Sequence, residues 1–343
     1  MEKNLIRQEN LKLIRQITFE KESFTANDLV QVSKISKVTI QSILKEMLEN
    51  QEIRERQLIN QAKGRPALQY EFSYDYQHYL LLAILEKQPK ILLNMQLVQM
   101  NGEIIEEKEV DFTSFSEKLL LDCIKEFTRK DPKVKKIALM VPGKVYQGKI
   151  ISGWGNNVME AWAVQEGIQS FTNAKIVLQN DAHVITLGYC QKHRLQNETI
   201  VGIYFPEKSM PGITILSEKG LFEGNRSLAG EAKFLPEFSQ QGRPETTHEF
   251  GKILKVLLPI YNVVVAPSRF VIASNTNDLA RIKKDLASNE FIKQQPNQPL
   301  IQTDDNYLES VKLGLLSLIQ EMEKKKNGYG QTKSNGSALG RYK

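Results

Sequence analysis

The sequence is poor in cysteine and has no long apolar run. Cys123 and Cys190 are its only cysteines, so we expect no disulfide framework and predict a cytoplasmic location. No apolar stretch approaches the ~20 residues that a membrane-spanning helix needs, and the charged start of the chain lacks the apolar core of a signal peptide. The hydrophobic fraction of 41% and the charged fraction of 25% are typical of a soluble protein without a membrane partner.

The positive net charge comes from one end of the chain. Residues 324–343 contain six lysines and arginines and no acid, so subtracting six from the net charge of +6 leaves residues 1–323 neutral. This segment is rich in Gly, Ser, Asn and Lys, which predicts a basic, disordered tail. The charge excess therefore does not indicate a basic nucleic-acid-binding surface.

Residues 24–50 predict two short amphipathic helices joined by a tight turn. Thr25 and Asp28 have the spacing of a capping box. Ser36 is placed to cap the second helix. The apolar face of the first helix is predicted as Leu29, Val30 and Val32, and that of the second as Ile40, Ile43, Leu44, Met47 and Leu48.

The opposite face of the second helix is small, polar and cationic. These are the properties of a helix that lies in the major groove of double-stranded operator DNA. A helical hairpin with a solvated face is the alternative. The predicted DNA-binding residues on this face are Ser36, Lys37, Thr39, Gln41, Ser42 and Lys45.

Residues 52–56 and 68–72 look like the two strands of a wing, with alternating apolar residues in the second. Gly64 and Arg65 lie between them, and a glycine beside an arginine lets the backbone approach a phosphate or the minor groove. An ordinary basic turn is the alternative. Residues 1–74 are therefore predicted to form a winged helix-turn-helix DNA-binding domain.

The pattern changes from residue 79 onward. Three strand-like segments, with a hairpin turn at Asn101-Gly102, are followed by alternating helices and strands. A similar order of elements recurs from residue 199. Helices are expected near residues 159–171, 248–259 and 278–288. We predict an α/β body of two related lobes, 79–197 and 198–323, with a cleft between them.

The sequence resembles the ROK family of repressors and sugar kinases over roughly residues 5–323. Four short segments in the family's order carry the resemblance: Gly64-Arg65-Pro66, Val141-Pro142-Gly143, Gln179-Asn180-Asp181-Ala182 and Ala229-Gly230-Glu231. The resemblance implies an N-terminal winged helix-turn-helix and a two-lobed, actin/hexokinase-like body. In family kinases the position of Asp181 is the general base.

The resemblance also implies an effector site. Its predicted residues are Gly143, Asn180, Asp181, Glu231 and either Asn156 or Asn157. A carboxylate beside an amide is suited to gripping vicinal sugar hydroxyls. The plainer interpretation of Asn180-Asp181 is the N-cap of a helix.

Two departures from the family pattern argue against catalysis. The segment 85–90, where kinases have a glycine turn for ATP phosphates, contains no glycine and includes Pro89. The second phosphate loop, 206–212, retains only Gly212 and carries Glu207. Because phosphoryl transfer relies on positioning the phosphates, we predict a non-catalytic body without a cofactor.

The zinc site of the family is also not expected. The position of the family's histidine falls near Phe234, and no cysteine cluster follows it. We therefore predict no metal. The predicted function is a homodimeric transcriptional regulator, a repressor controlled by a sugar or sugar-phosphate effector. A regulator whose body only dimerises and an active sugar kinase are the alternatives.

Overall fold

The computed structural model describes residues 2–59, 67–87, 89–152, 158–160, 162–206, 209–238, 244–274, 279, 282 and 294–325. The chain divides into two compact units. The first comprises Met1–His78 and Gln99–Glu103, and the second comprises Tyr79–Val98 and Ile104–Lys343. Within the described residues, no helix combines the length and the apolar character needed to cross a membrane.

The first unit is a winged helix-turn-helix, as predicted. Its strands form a sheet in the order β1-β3-β2, in which β3 pairs antiparallel with both neighbours. Its elements are α1 (Glu2–Phe19), β1 (Phe24–Thr25), α2 (Ala26–Ser33), α3 (Lys37–Glu49), β2 (Ile53–Ile59) and β3 (Ala67–Phe72).

Both predicted helix caps are confirmed. Thr25 and Asp28 form a capping box at α2, and the Ser36 hydroxyl accepts a 3.3 Å hydrogen bond from the Thr39 amide at α3. The apolar stripe of α3 is buried from Ile40 to Met47. The prediction that Val32 faces the core is wrong, since it is 55% exposed. Helix α2 has eight residues and buries only Leu29 fully.

The second unit contains two lobes. The elements of the first lobe are β4 (His78–Lys87), β5 (Lys90–Gln99), β6 (Ile104–Asp111), α4 (Glu117–Lys130), β7 (Val134–Val141), β8 (Lys144–Tyr146), β9 (Lys149–Ser152), α5 (Val164–Gln169), β10 (Lys175–Asn180) and α6 (Asp181–His193). Those of the second are β11 (Ile200–Phe205), β12 (Gly212–Ser217), β13 (Gly220–Leu221), two 3₁₀ turns (Asn225–Ser227 and Ala232–Phe234), α7 (Thr247–Val265), β14 (Arg269–Ser274), β15 (Leu300–Asp304) and α8 (Tyr307–Lys325).

The predicted duplication is confirmed by the strand orders. The first sheet runs β10-β7-β4-β5-β6 and the second runs β13-β12-β11-β14-β15. In each sheet the first strand of the lobe is central, the next two extend to one side, and the last two extend to the other. The last two strands are parallel to each other in the first sheet, and β11, β14 and β15 are parallel in the second.

Some predicted boundaries are wrong. The helix expected over 159–171 is only Val164–Gln169, because Met159 and Trp162 pack into the first-lobe core from a turn. The helix expected to end at Pro259 continues to Val265, since buried Leu257 and Leu258 hold it against the second-lobe core. The β8–β9 hairpin was not predicted. Of the helix predicted over 278–288, the structure describes only Leu279 and Ile282, which are helical and buried in the second-lobe core. The tail beyond residue 325 lies outside the described residues.

The lobes meet where α6 crosses α8. A Cβ atom added to Gly188 of α6 would lie 1.7 Å from the Ser310 carbonyl oxygen, and one added to Gly314 of α8 would lie 2.0 Å from the Val184 carbonyl oxygen. The helices are therefore in backbone contact. Helix α6 is buried from Asp181 to Cys190, so its position is fixed by packing.

We expect Gly314→Ala to destabilise the protein, because the added methyl group has to push the two helix backbones apart. Overpacking of this kind costs about 1–3 kcal/mol, and we expect the melting temperature to fall by ~2–4 °C for each kcal/mol. Thermal unfolding of the full chain measures the effect.

The matched control is Gly251→Ala in α7. No described atom lies within 4 Å of a Cβ at that position, so this substitution should stabilise the helix by ~0.5–1 kcal/mol. Equal effects of the two substitutions would contradict the close helix crossing.

Candidate functional site

The predicted DNA-reading face of α3 is accessible in the structure. Lys37, Gln41, Ser42 and Lys45 are exposed, as is the capping residue Ser36. Thr39 is half-buried, and its hydroxyl lies 2.9 Å from that of Ser36. Gly64 and Arg65 of the predicted wing tip lie outside the described residues.

Val38 is a surface residue of α3 that the sequence argument missed. It is 77% exposed and stands between Lys37 and Thr39 in the first turn of the helix. An apolar side chain on such a face suits the methyl group of a thymine in the major groove. The spacing of the buried stripe of α3 places position 38 on the opposite, exposed face. The sequence alone could therefore have identified Val38.

The N-terminus of α6 holds the predicted pair Asn180 and Asp181. Asn180 is the N-cap, and its side-chain oxygen accepts a 3.2 Å hydrogen bond from the His183 amide. Its Nδ2 donates to the Gly143 carbonyl oxygen at 3.0 Å and to Asp181 Oδ1 at 2.7 Å. The capping role and the predicted binding role therefore fall on the same residue.

Asp181 is a buried acid with a strongly perturbed pKa. Burial, which penalises the charged form, raises the pKa of Asp181 to about 7. The Ala182 amide, which donates to Oδ1 at 2.8 Å, opposes the shift, whereas the negative charges of Glu86 and Glu231 add to it. Near neutral pH the carboxyl is divided between its protonated and ionised forms.

His183 is a neutral hydrogen-bond acceptor. Gln179 Nε2 donates to Glu223 Oε1 at 3.1 Å, so Gln179 Oε1 faces the other way and accepts the Asn180 amide at 2.8 Å. The same oxygen lies 3.0 Å from His183 Nδ1, which must carry the proton. Burial lowers the pKa of His183 to about 3, which leaves Nε2 with a free lone pair.

Lys144 occupies the space in front of this lone pair. Its side chain is 1% exposed, and its Nζ lies 3.5 Å from His183 Nε2. Nζ also donates to the Ala229 carbonyl oxygen at 2.8 Å and lies 3.9 Å from Glu231 Oε1. Burial lowers the pKa of Lys144, and the charge of Glu231 opposes that shift.

The backbone at Glu231 is fixed by its pairing with strand β12. The Gly230 carbonyl oxygen accepts a 3.1 Å hydrogen bond from the Ile213 amide, and Glu231 bridges to Gly212. Gly230 has a φ of 84°, and a Cβ there would lie 2.0 Å from the Ile213 carbonyl oxygen, so only glycine fits. The Glu231 carboxylate also pairs with Lys233 at 3.2 Å.

The structure brings four of the predicted effector residues into one linked cluster. Gly143 bonds to Asn180, Asn180 bonds to Asp181, and Lys144 links this group to Glu231. Asn156 and Asn157 lie outside the described residues. Lys144, Gln179 and His183 also belong to the cluster and were not predicted from the sequence. The only signal in the sequence was position: Gln179 begins one of the four family-like segments, and Lys144 and His183 each follow one.

The described residues do not fit the zinc site that the family resemblance implies. Phe234, at the position of the histidine ligand, is a 72% exposed aromatic ring in a 3₁₀ turn. Among the described residues, no group of three or more His, Cys, Asp or Glu side chains is placed to hold a metal ion.

A comparison with protein-family sequence models matches residues 92–234 to the ROK family. The matched segment includes the Gly143 turn, Asn180, Asp181 and Glu231. The chain contains a ROK family domain. No curated protein gives a significant match to the sequence.

Solved ROK family structures share the fold. A ROK family transcriptional regulator, described as a homolog of the E. coli MLC protein, superposes with a TM-score of 0.65 at 17% identity, over 93% of this chain and 98% of that one. A ROK family protein from Streptococcus pneumoniae TIGR4 in complex with sucrose gives 0.55 at 15% identity, over 72% and 100% of the two chains. A ROK family glucokinase from Streptomyces griseus, in complex with glucose and AMPPNP, gives 0.55 at 12% identity, over 71% and 99%.

We expect Asp181 to make the stability of the protein depend on pH. Its pKa is raised on folding from an ordinary value of 3.8 to about 7. The folded state therefore binds the proton more tightly, and this stabilisation is present below about pH 4 and lost as the pH rises to about 7. Asparagine at position 181 keeps an acceptor oxygen but cannot ionise. As the pH rises over this range, the melting temperature of Asp181→Asn should therefore fall less than that of the unmodified protein.

Thermal unfolding between about pH 5 and pH 7.5 tests this expectation. Asp122→Asn, on the exposed side of α4, is the matched control and should retain the pH dependence of the unmodified protein. Parallel curves for Asp181→Asn and the unmodified protein would contradict the raised pKa.

Proposed function

We propose that this ROK-domain protein is a transcriptional regulator, a repressor that binds operator DNA through α3 and senses a sugar or sugar derivative in a non-catalytic body. The single observation that carries this proposal is the exposed polar face of α3 in a winged helix-turn-helix. Lys37, Gln41 and Ser42 stand on it side by side, while the apolar stripe of the same helix is buried.

The fraction of the chain that each structural match covers supports a regulator over a kinase. The superposition on the solved regulator covers 93% of the chain, so it leaves out about 24 of 343 residues, far fewer than the first unit contains. It therefore includes most of the helix-turn-helix unit. The match to the glucokinase covers 71% of the chain.

The buried carboxylate of Glu86 supports the proposal that the two-lobed body does not transfer phosphoryl groups. Glu86, at the end of β4, is 5% exposed, and its charge contributes to the raised pKa of Asp181. A transferring phosphoryl group would have to approach a hydroxyl held by Asp181 and would enter the negative field of Glu86. Enzymes that transfer phosphoryl groups place positive charge and amide donors there instead.

The effector is proposed to bind at the cluster around Asn180, Asp181 and Glu231. These residues come from both lobes, so a bound ligand can change how the lobes close. Two structural relatives were solved with sugars bound, one with sucrose and one with glucose and AMPPNP. A cytoplasmic homodimer with two reading helices would recognise half-sites about one or two helical turns apart.

A sugar kinase is the second candidate, and Asp181 is the observation that favours it. A general base works best when its pKa lies near the operating pH, and the pKa of Asp181 is about 7. ATP-dependent phosphorylation of a sugar by the purified chain, abolished by Asp181→Asn, would establish this alternative.

We expect Gln41→Ala to weaken binding to specific DNA. A duplex selected from a random library by the full chain serves as the specific probe, and a scrambled duplex serves as the nonspecific one. A lost pair of hydrogen bonds to a base is worth about 1–3 kcal/mol, so the Kd for the selected duplex should rise by roughly 5- to 150-fold. The Kd for the scrambled duplex should change little, because phosphate contacts dominate nonspecific binding.

Fluorescence anisotropy titration at fixed salt measures both constants. Gln16→Ala, an exposed glutamine of α1 in the same unit, is the matched control and should bind as the unmodified protein does. If Gln41→Ala and Gln16→Ala behave alike, α3 is not the reading helix.

A further inference from the structure

A loop of the second lobe reaches across the cleft to the first lobe. We call residues 222–231 the cap loop. Gln179 bonds to Glu223 of this loop, the Arg226 guanidinium lies 5.9 Å from the centre of the Tyr146 ring, and Lys144 bonds to the Ala229 carbonyl oxygen. Arg226 and Ser227 both have positive φ angles, 52° and 58°. Such angles are costly for non-glycine residues and persist where surrounding contacts hold them.

Lys144 is the most deeply buried residue among these cross-cleft contacts, with 1% of its side chain exposed. It follows β7 of the first lobe, and two of its three neighbours, Ala229 and Glu231, belong to the cap loop. The third, His183, belongs to α6. An ammonium group removed from water is very costly unless acceptors and opposite charge surround it. The three groups meet this requirement and together form a site for an ammonium ion.

The chemistry of the site favours a cation over an anion. A lysine has three N–H donors and no acceptor, and the three neighbours of Nζ are a carbonyl oxygen, an imidazole lone pair and a carboxylate. Nζ makes a hydrogen bond to the Ala229 carbonyl oxygen at 2.8 Å, and its other two neighbours, at 3.5 Å and 3.9 Å, are also groups that attract a cation. If Lys144 moves away, a ligand in its place meets the Ala229 carbonyl oxygen, the lone pair of His183 Nε2 and the carboxylate of Glu231, which still pairs with Lys233. Two neutral acceptors and a carboxylate disfavour a phosphate or a sugar acid at this position.

We propose that Lys144 fills an ammonium-binding site of the cleft from within the chain, and that the effector displaces it with an ammonium group of its own, as an amino sugar does. The effector part rests on the proposed function, whereas the ammonium site stands on the geometry alone. Because Lys144 joins the first lobe to the cap loop, its displacement removes one of the links that hold the loop across the cleft.

The site is tested by chemical rescue of the full chain. Lys144→Ala removes n-propylamine from the side chain, so n-propylammonium is the missing fragment. We expect Lys144→Ala to melt below the unmodified protein, and n-propylammonium to raise its melting temperature by ~2 °C or more. The unmodified protein and Lys149→Ala, an exposed lysine of the same hairpin, should not respond. Propionate, with the same carbon chain and the opposite charge, should not rescue any of the proteins.

The effector class is tested by thermal shift at a slightly acidic pH, where amines are protonated. Glucosamine should stabilise the unmodified protein more than glucose does, and glucose 6-phosphate should not stabilise it. A larger shift with glucose 6-phosphate would overturn the amino-sugar inference while leaving a sugar-sensing regulator in place. Flat responses to all three probes, with intact rescue of Lys144→Ala, would overturn the effector role and leave the ammonium site standing.

Equal responses of Lys144→Ala to n-propylammonium and propionate would overturn the ammonium site itself. If Lys144→Ala does not fold, Lys144→Met keeps the packing volume and removes the charge. We then expect faster amide hydrogen exchange in the cap loop of Lys144→Met, with Lys149→Met unchanged. Unchanged exchange in both variants would contradict a role for Lys144 in holding the loop.

Discussion

The backbone contact between α6 and α8 is the constraint on which the cleft depends. Gly188 and Gly314 leave no room for a methyl group between the two helices, so α6 has one position relative to the second lobe. The N-terminus of α6 carries Asn180 and Asp181. The same packing that joins the lobes therefore places the candidate effector residues at the cleft.

The second constraint is charge balance in a buried site. Lys144, Asp181 and Glu86 are all at most 6% exposed, and His183 is kept neutral by burial. A buried cation needs anions and acceptors beside it, and closely spaced buried carboxylates need protons or cations. Lys144 supplies the cation, and the raised pKa of Asp181 allows that carboxyl to hold a proton. A ligand that displaces Lys144 from the cluster has to supply a positive charge in its place.

The sequence predicted features that depend on local patterns. The capping residues Thr25 and Ser36 and the stripe from Ile40 to Met47 follow from spacing alone. The repeated order of elements predicted the two lobes, and the matching strand orders confirm them. Val32 was assigned wrongly because three apolar positions in an eight-residue helix, Leu29, Val30 and Val32, do not reveal which of them face the core.

The cluster around Lys144 could not be predicted from the sequence. A lysine after a Pro-Gly turn is ordinarily solvated, and the burial of Lys144 depends on the Ala229 carbonyl oxygen and the Glu231 carboxylate, more than eighty residues away. Motif resemblance pointed to Gly143, Asn180, Asp181 and Glu231 but not to their hydrogen-bond partners. Helix α7 likewise continues past Pro259 because tertiary packing outweighs the local preference of proline to end a helix.

In the proposed regulator, the state of the cleft sets the affinity of the helix-turn-helix for DNA. The most direct test is the Kd of the full chain for its selected duplex, compared among the unmodified protein, Lys144→Met and Lys149→Met at one salt concentration. We expect Lys144→Met to change this Kd severalfold, and Lys149→Met and the unmodified protein to have the same Kd. Equal constants for all three proteins, with the cap loop of Lys144→Met released, would contradict this expectation.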